Sequence, residues 1–199
     1  MNIKTGEQFS TSAWSGGNTT ELFIYPAGSS YKDRSFLFRL SSATVTDERS
    51  TFTKLPGINR ILLVLEGQLR LIHNGKAGGL LLPGRQEAFP GDMDTVGEGK
   101  AVDFNLMLQG GAAGKVVLIE LPGKDKENCV VYAGDSKKSF LLLYVWKGRI
   151  TLADGYEKKI VKEKELAVLE MDKEDEVAGF VIENQLKTMA TVIKAEIHI

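Results

Sequence analysis

Apolar positions along this chain come in short runs that alternate with polar ones or stop abruptly at Gly, Pro, Asn or Asp. "ELFIYPAG" (Glu21–Gly28), "SFLFRLSSATV" (Ser35–Val45), "NRILLVLEGQLRLIHNG" (Asn59–Gly75), "GLLLPG" (Gly79–Gly84), "VDFNLML" (Val102–Leu108) and "KVVLIELPG" (Lys115–Gly123) are such runs. They predict short antiparallel strands joined by turns. Before residue 156 no long segment carries the i, i+3, i+4, i+7 spacing of an amphipathic helix. "YEKKIVKEKELAVLEMDKEDE" (Tyr156–Glu176) favours helix by its Lys and Glu content, but it also reads as two alternating strands about a charged turn.

An internal repeat decides that segment. "LLVLEGQLRLIHNG" (Leu62–Gly75) and "LLYVWKGRITLADG" (Leu142–Gly155) share an apolar run, one charged residue, Gly, a polar residue, then alternation to a turn. Gly67 and Gly148 anchor the copies, 81 residues apart. After each copy comes a turn, an apolar run (Leu80–Leu82, Leu166–Leu169) and an Asp, Asp92 or Asp172. Such self-similarity implies a duplicated β-unit, so Tyr156–Glu176 is expected to be strands. The predicted fold is all-β: two tandem double-sheet barrels of the jelly-roll or cupin type, packed as one body. The expected barrels are residues 1–112 and 113–199, meeting near "QGGAAGK" (Gln109–Lys115).

Composition then narrows the function classes. The chain is 43% hydrophobic and 26% charged, with a formal net charge of −1 and both signs mixed along its length. This is not the clustered basic footprint of a nucleic-acid binder. No apolar run approaches the roughly 18 residues of a membrane span. "MNIKTGEQFSTSAW" lacks an apolar signal core and resembles a mature start. Cys129 is the single cysteine, which excludes an internal disulfide and fits a reducing compartment, so a cytoplasmic location is expected. Its simplest role is a buried or half-buried thiol without chemistry.

Candidate chemistry is narrowed by what is missing. Cupin metal sites use two or three histidines and a carboxylate, whereas this chain has only His73 and His198 and no H-x-H pair. No metal and no cofactor are therefore expected, and His73 is read as a surface turn residue. "GDMD" (Gly91–Asp94) reads as a polar turn. A nucleophile elbow, a P-loop and a dinucleotide fingerprint are all missing from the sequence. "SGGNTTE" (Ser15–Glu21) is either a turn into a strand or a backbone that approaches a ligand, with Asn18 and Thr19 supplying polar groups.

What remains is polar residues embedded in strands. By period two, Phe36, Phe38 and Leu40 share one face while Arg39 and Ser41 share the other. Arg60 opens a strongly apolar strand, and Asp103, Asn105 and Met107 share a face opposite Phe104 and Leu106. Buried charge is costly unless paired. Two arginines and one aspartate would cancel to a single positive charge. Alternatively these faces meet water, or Arg39 and Asp103 form a structural ion pair.

These same residues resemble a known family. "WSGGNTTELFIYP", "SFLFRLSSATVTDERSTFTKLPGINRILLVLEGQLRL", "FPGD" and "VDFNLM" follow in order the signatures of the HutD/Ves family over about residues 10–110. The second half is similar only in size and β character. Phe38 stands where the family usually has Trp. The resemblance implies a bicupin with a small pocket in its first barrel, without metal-binding histidines and without an established enzymatic activity. It also implies a link to histidine utilisation or to cold and stress responses, through binding an intermediate such as formylglutamate.

The leading expectation is a non-catalytic bicupin that binds a small carboxylate. Arg39 and Arg60 would hold the carboxylate. Asp103 would orient an arginine or accept from the ligand, and Asn105 would donate and accept. Trp14 and Phe38 would form an aromatic wall, with Ser41, Asn18 and Thr19 completing the lining. One alternative is a metal-free isomerase, epimerase or lyase with Asp103 as general base. Neighbouring arginines should lower the pKa of that Asp, which weighs against it. Another is an interaction scaffold with no ligand, and sheet edges also leave a homodimer open.

Overall fold

The computed structural model describes residues 1–132, 136–172 and 177–199. It divides into two compact units, residues 9–112 and residues 1–8 with 113–199. In the first barrel a six-stranded sheet runs in the order β2 (Ser10–Trp14), β3 (Gly17–Tyr25), β4 (Phe38–Val45), β11 (Ala101–Leu108), β6 (Asn59–Gly67), β9 (Gln86–Pro90). A four-stranded sheet of the same unit runs β5 (Arg49–Thr51), β10 (Thr95–Glu98), β7 (Leu69–His73), β8 (Lys76–Leu81).

The second barrel repeats this plan. Its five-stranded sheet runs β1 (Asn2–Lys4), β17 (Leu166–Asp172), β14 (Lys138–Lys147), β19 (Ala190–His198), β12 (Ala113–Leu121). Its four-stranded sheet runs β13 (Lys126–Tyr132), β18 (Val177–Glu183), β15 (Arg149–Ala153), β16 (Lys158–Lys162). The lateral order β4-β11-β6-β9 therefore recurs as β12-β19-β14-β17, and β5-β10-β7-β8 recurs as β13-β18-β15-β16. Gly67 and Gly148 occupy the same break between strands with φ of 75° and 82°. This left-handed conformation suits glycine, and at Gly67 a Cβ would lie 2.2 Å from the Lys100 carbonyl. Tyr156–Glu176 contains β16 and β17 as expected, and its residues 173–176 lie outside the described residues.

Residues 1–8 depart from expectation. β1 pairs antiparallel with β17, in the register Asn2↔Val168, Ile3↔Ala167, Lys4↔Leu166. Met1 and Ile3 pack against the apolar core of the second barrel, so burial of Ile3 outweighs its closeness in sequence to β2. Among the described residues no helix is long and apolar enough to cross a membrane.

The two interiors are filled differently. One continuous apolar cluster fills the second barrel, built from Leu141, Leu143, Val145, Leu152, Ile182, Val192 and their neighbours. Phe140, Leu142 and Tyr144, on the other face of β14, are buried as well. That is why "SFLLLYVW" is a continuous apolar run and not an alternating one. In the first barrel the apolar residues fall into separate groups, one around Leu62, Val64 and Leu71, the other around Phe36, Leu55 and Met107.

Candidate functional site

Strand geometry builds the site. On the inner face of the six-stranded sheet, β4, β11 and β6 form three successive rungs: Arg39–Met107–Arg60, Ser41–Asn105–Leu62 and Ala43–Asp103–Val64. Neighbouring strands lie about 4.8 Å apart, so the Arg39 and Arg60 backbones are separated by roughly 10 Å across Met107. Same-face rungs are spaced by roughly 6.7 Å. A cationic rung, an amide rung and a carboxylate rung thus follow one another on a single wall. All of these residues except Leu62 and Val64 border a cavity of about 280 Å³, whose described lining comes wholly from the first barrel. Trp14, Tyr31 and Phe52 supply its aromatic surface.

Seven of the nine expected site residues line the cavity: Trp14, Thr19, Arg39, Ser41, Arg60, Asp103 and Asn105. Phe38 and Asn18 do not. Period two puts Phe38 on the opposite face of β4 from Arg39, where it stacks on Phe23 and Tyr25 at 5.6 and 5.4 Å between centroids. Asn18 falls one position out of phase with Thr19 on β3 and is exposed. Ser15 and Gly16 form the two-residue turn between β2 and β3, with Trp14 paired to Gly17. The Trp14 ring lies so close to Gly16 that a Cβ there would meet it at 2.2 Å. This glycine fixes where the indole sits.

The arginines have different partners. Arg39 donates from Nε to Glu21 Oε2 at 2.6 Å and from Nη1 to Ser41 Oγ at 3.1 Å, beneath the Tyr31 ring at 4.4 Å. The alternative in which Arg39 pairs with Asp103 is therefore not what forms, because Arg39 pairs with Glu21. A bulge in β3 between Glu21 and Phe23 keeps Glu21 opposite Ser41, on the cavity face. Arg60 is held between rings, its guanidinium 4.9 Å from Phe52 and 5.2 Å from Phe89. Burial lowers its pKa to about 10, against the opposing pull of Asp103. Behind Phe89 stands His73, which the sequence placed on the surface. Its ring is 4.7 Å from Phe89, with Nδ1 2.9 Å from Thr95 Oγ1 and Nε2 3.0 Å from Glu87 Oε1.

Asp103 is 2% exposed, and burial raises its pKa from 3.8 to about 7. Arg60 and a hydrogen bond from the Ala43 backbone amide pull the other way and lose. The expectation that neighbouring arginines would depress this group is thus overturned, because one is neutralised by Glu21 and desolvation exceeds the pull of the other. Four buried polar atoms on the lining have no hydrogen-bond partner among the described residues: the donors Trp14 Nε1 and Arg60 Nε, and the acceptors Asp103 Oδ1 and Asn105 Oδ1. Native proteins leave few such atoms, and each carries a desolvation cost of about 1–3 kcal/mol.

This donor set does not fit a metal ion. One carboxylate and one amide share the cavity with two guanidinium groups, and no histidine lines it. Among the described residues no group of three or more His, Cys, Asp or Glu is placed to hold a metal.

A model of the HutD family matches residues 6–188. The chain belongs to the HutD family. The match runs through most of the second barrel, well past the residues 10–110 in which the motifs are visible by eye. The conserved protein of unknown function PA5104 from Pseudomonas aeruginosa PAO1 is 21% identical with a TM-score of 0.83, over 100% of this chain and 98% of that one. HutD from Pseudomonas fluorescens SBW25 (formate condition) is 19% identical with a TM-score of 0.69, over 98% and 97% of the two chains. A Lactobacillus farciminis oxalate decarboxylase formate complex is 6% identical with a TM-score of 0.71, over 97% of this chain and 85% of that one. No curated protein sequence matches the chain. The shared architecture makes this HutD-family chain an all-β bicupin.

Proposed function

We propose that the first barrel of this HutD-family protein binds a small anionic metabolite of the formylglutamate type and serves a regulatory role in histidine utilisation or a stress response. The observation that carries this reading is the convergence of four partnerless buried polar atoms on one cavity. Two donors and two acceptors there match a ligand that offers both, as a carboxylate joined to an amide does. About 280 Å³ sits at the small end of ligand sites and suits a metabolite of this size. Arg60 and Trp14 would meet the carboxylate, Arg39 would offer it a guanidinium N–H from beside it, and Asn105 and Asp103 would meet the amide end. In this reading the partner is a small carboxylate, not nucleic acid or membrane, the setting is cytoplasmic, and pairing into a homodimer is compatible with it.

The test is a thermal-shift and calorimetric comparison of N-formylglutamate and glutamate on the wild type, Arg39→Ala and Arg60→Ala. A ligand at 100 times its Kd adds about 2.7 kcal/mol to wild-type stability, and both variants should lose most of that gain. Folded variants with unchanged affinity would refute the assignment.

A second reading, an enzyme with Asp103 as general base, is favoured by the raised pKa of that residue in a cavity beside Arg60. Its signature is turnover of a bound acid that disappears in Asp103→Asn. A scaffold without a ligand would close Arg39 onto Asp103, whereas Arg39 takes Glu21.

A further inference from the structure

The charges at the cavity do not favour an anion as they stand. Arg39 is matched by Glu21 at 2.6 Å, and both side chains are largely withdrawn from water, so together they contribute no net charge. Arg60 and an ionised Asp103 would cancel in the same way, leaving an anion no net attraction and one buried carboxylate to repel it. If Asp103 is neutral the balance becomes one positive charge, and the group that repelled becomes a donor.

We infer that an anionic ligand enters the first barrel together with one proton taken from solvent, which Asp103 holds so that its carboxyl group donates a hydrogen bond to the ligand. The inference rests on the proposed reading of the cavity as an anion site. Its geometric basis is that Asp103 is buried, that its Oδ1 has no partner, and that it shares the wall of the cavity with Asn105 and the arginine rung. The charged and titratable groups around it are Arg39 from β4 with Glu21 from β3, Arg60 from β6, and Tyr31 from the segment between β3 and β4. Behind Phe89, His73 from the facing sheet is paired with Glu87 from β9. The elevated pKa of Asp103, about 7, makes the proton available near neutrality.

The experiment is isothermal titration calorimetry of the full chain with N-formylglutamate and with N-acetylglutamate, whose own charges hardly change between pH 6 and 8. Each titration is run at pH 6, 7 and 8 in two buffers of different ionisation enthalpy, which counts the protons exchanged. If only the protonated site binds, affinity falls about 10-fold from pH 6 to pH 8, and close to one proton is taken up per ligand at pH 8. Asp103→Asn should bind with no pH slope and no proton uptake. In Glu21→Gln the site keeps a positive charge when Asp103 ionises, so the slope should flatten. A wild-type affinity that is constant from pH 6 to 8, with no dependence on buffer, would overturn the inference and leave the binding site standing. So would an Asp103→Asn protein that keeps the wild-type slope. If neither probe binds the wild type at pH 6, the anion-site reading fails and takes this inference with it. The wild-type proton count decides the matter even if Asp103→Asn does not fold.

Discussion

The two barrels share one strand plan and differ in what points inward. Aligning Gly67 with Gly148 and following the registers sets Arg60 against Leu141, Asp103 against Val192, Asn105 against Lys194 and Arg39 against Lys115. Leu141 and Val192 are fully buried in the continuous apolar core of the second barrel. Its two lysines are answered, because Glu196 accepts from Lys115 at 2.8 Å and from Lys194 at 3.0 Å. The first barrel carries charge where the second carries Leu and Val, and it keeps partnerless atoms around a cavity. A few inward positions thus leave a polar cavity on a strand frame whose other copy carries a continuous apolar core.

Moving the charge across should do the most damage. Leu141→Arg would bury a guanidinium in the apolar core, and the carboxylate opposite it, Glu196, is already engaged by Lys115 and Lys194. It is expected to destabilise the protein by about 3–5 kcal/mol, seen as a lower denaturant midpoint. A midpoint unchanged from wild type would show that the second core is less tightly closed than its burial implies.

Removing the buried acid should leave a pH signature that the second barrel, with Val192 at that position, does not produce. The pKa of Asp103 is higher in the folded state than in the unfolded chain. Its contribution to stability is therefore full below pH 3.8 and is lost as pH rises through about 7. Asp103→Asn should gain on the wild type across that window, by at most about 4 kcal/mol at pH 8 given about 1.36 kcal/mol per unit of pKa. Parallel stability–pH curves for the two proteins would contradict this.

Copying the second barrel into the first should close the site. Arg60→Leu with Asp103→Val is expected to raise stability by about 1–4 kcal/mol, as when buried ionic groups are replaced by apolar ones, while ligand-induced thermal shifts vanish. Retained shifts would locate binding elsewhere. The smallest effect concerns β2 and β3, which have no counterpart among the described residues of the second barrel. Trp14→Phe removes a donor that already lacks a protein partner, so stability should move by less than about 1 kcal/mol while affinity falls several-fold. Unchanged affinity would exclude the indole from the ligand's contacts.

Much of this contrast was legible in the residues. The spacing of Gly67 and Gly148 revealed the duplication, and period two in "VDFNLML" put Asp103, Asn105 and Met107 on one face. The same period would have excluded Phe38, which the family's aromatic at that position brought in. It would also have found Glu21, two residues along from Thr19, had the polar run "NTTEL" been read as one wall of the barrel. Tyr31 and Phe52 carry no such signal, because they lie outside the regular strands that periodicity can read. The state of Asp103 is hidden in the sequence for a different reason. Counting neighbouring charges gives the sign of the Coulomb pull, but only burial and the Arg39–Glu21 pair show that desolvation exceeds it.

The pairing of β1 with β17 bears on how the chain is assembled. Residues 9–112 are in effect an insertion within the second unit, whose strand β1 precedes the inserted barrel in the chain and whose partner strand β17 follows it. The inserted barrel is contiguous, so it can close as soon as it leaves the ribosome, while β1 waits unpaired with Ile3 uncovered. A fusion or deletion that disturbs residues 1–8 should therefore trouble the late-forming barrel and spare the one that carries the cavity.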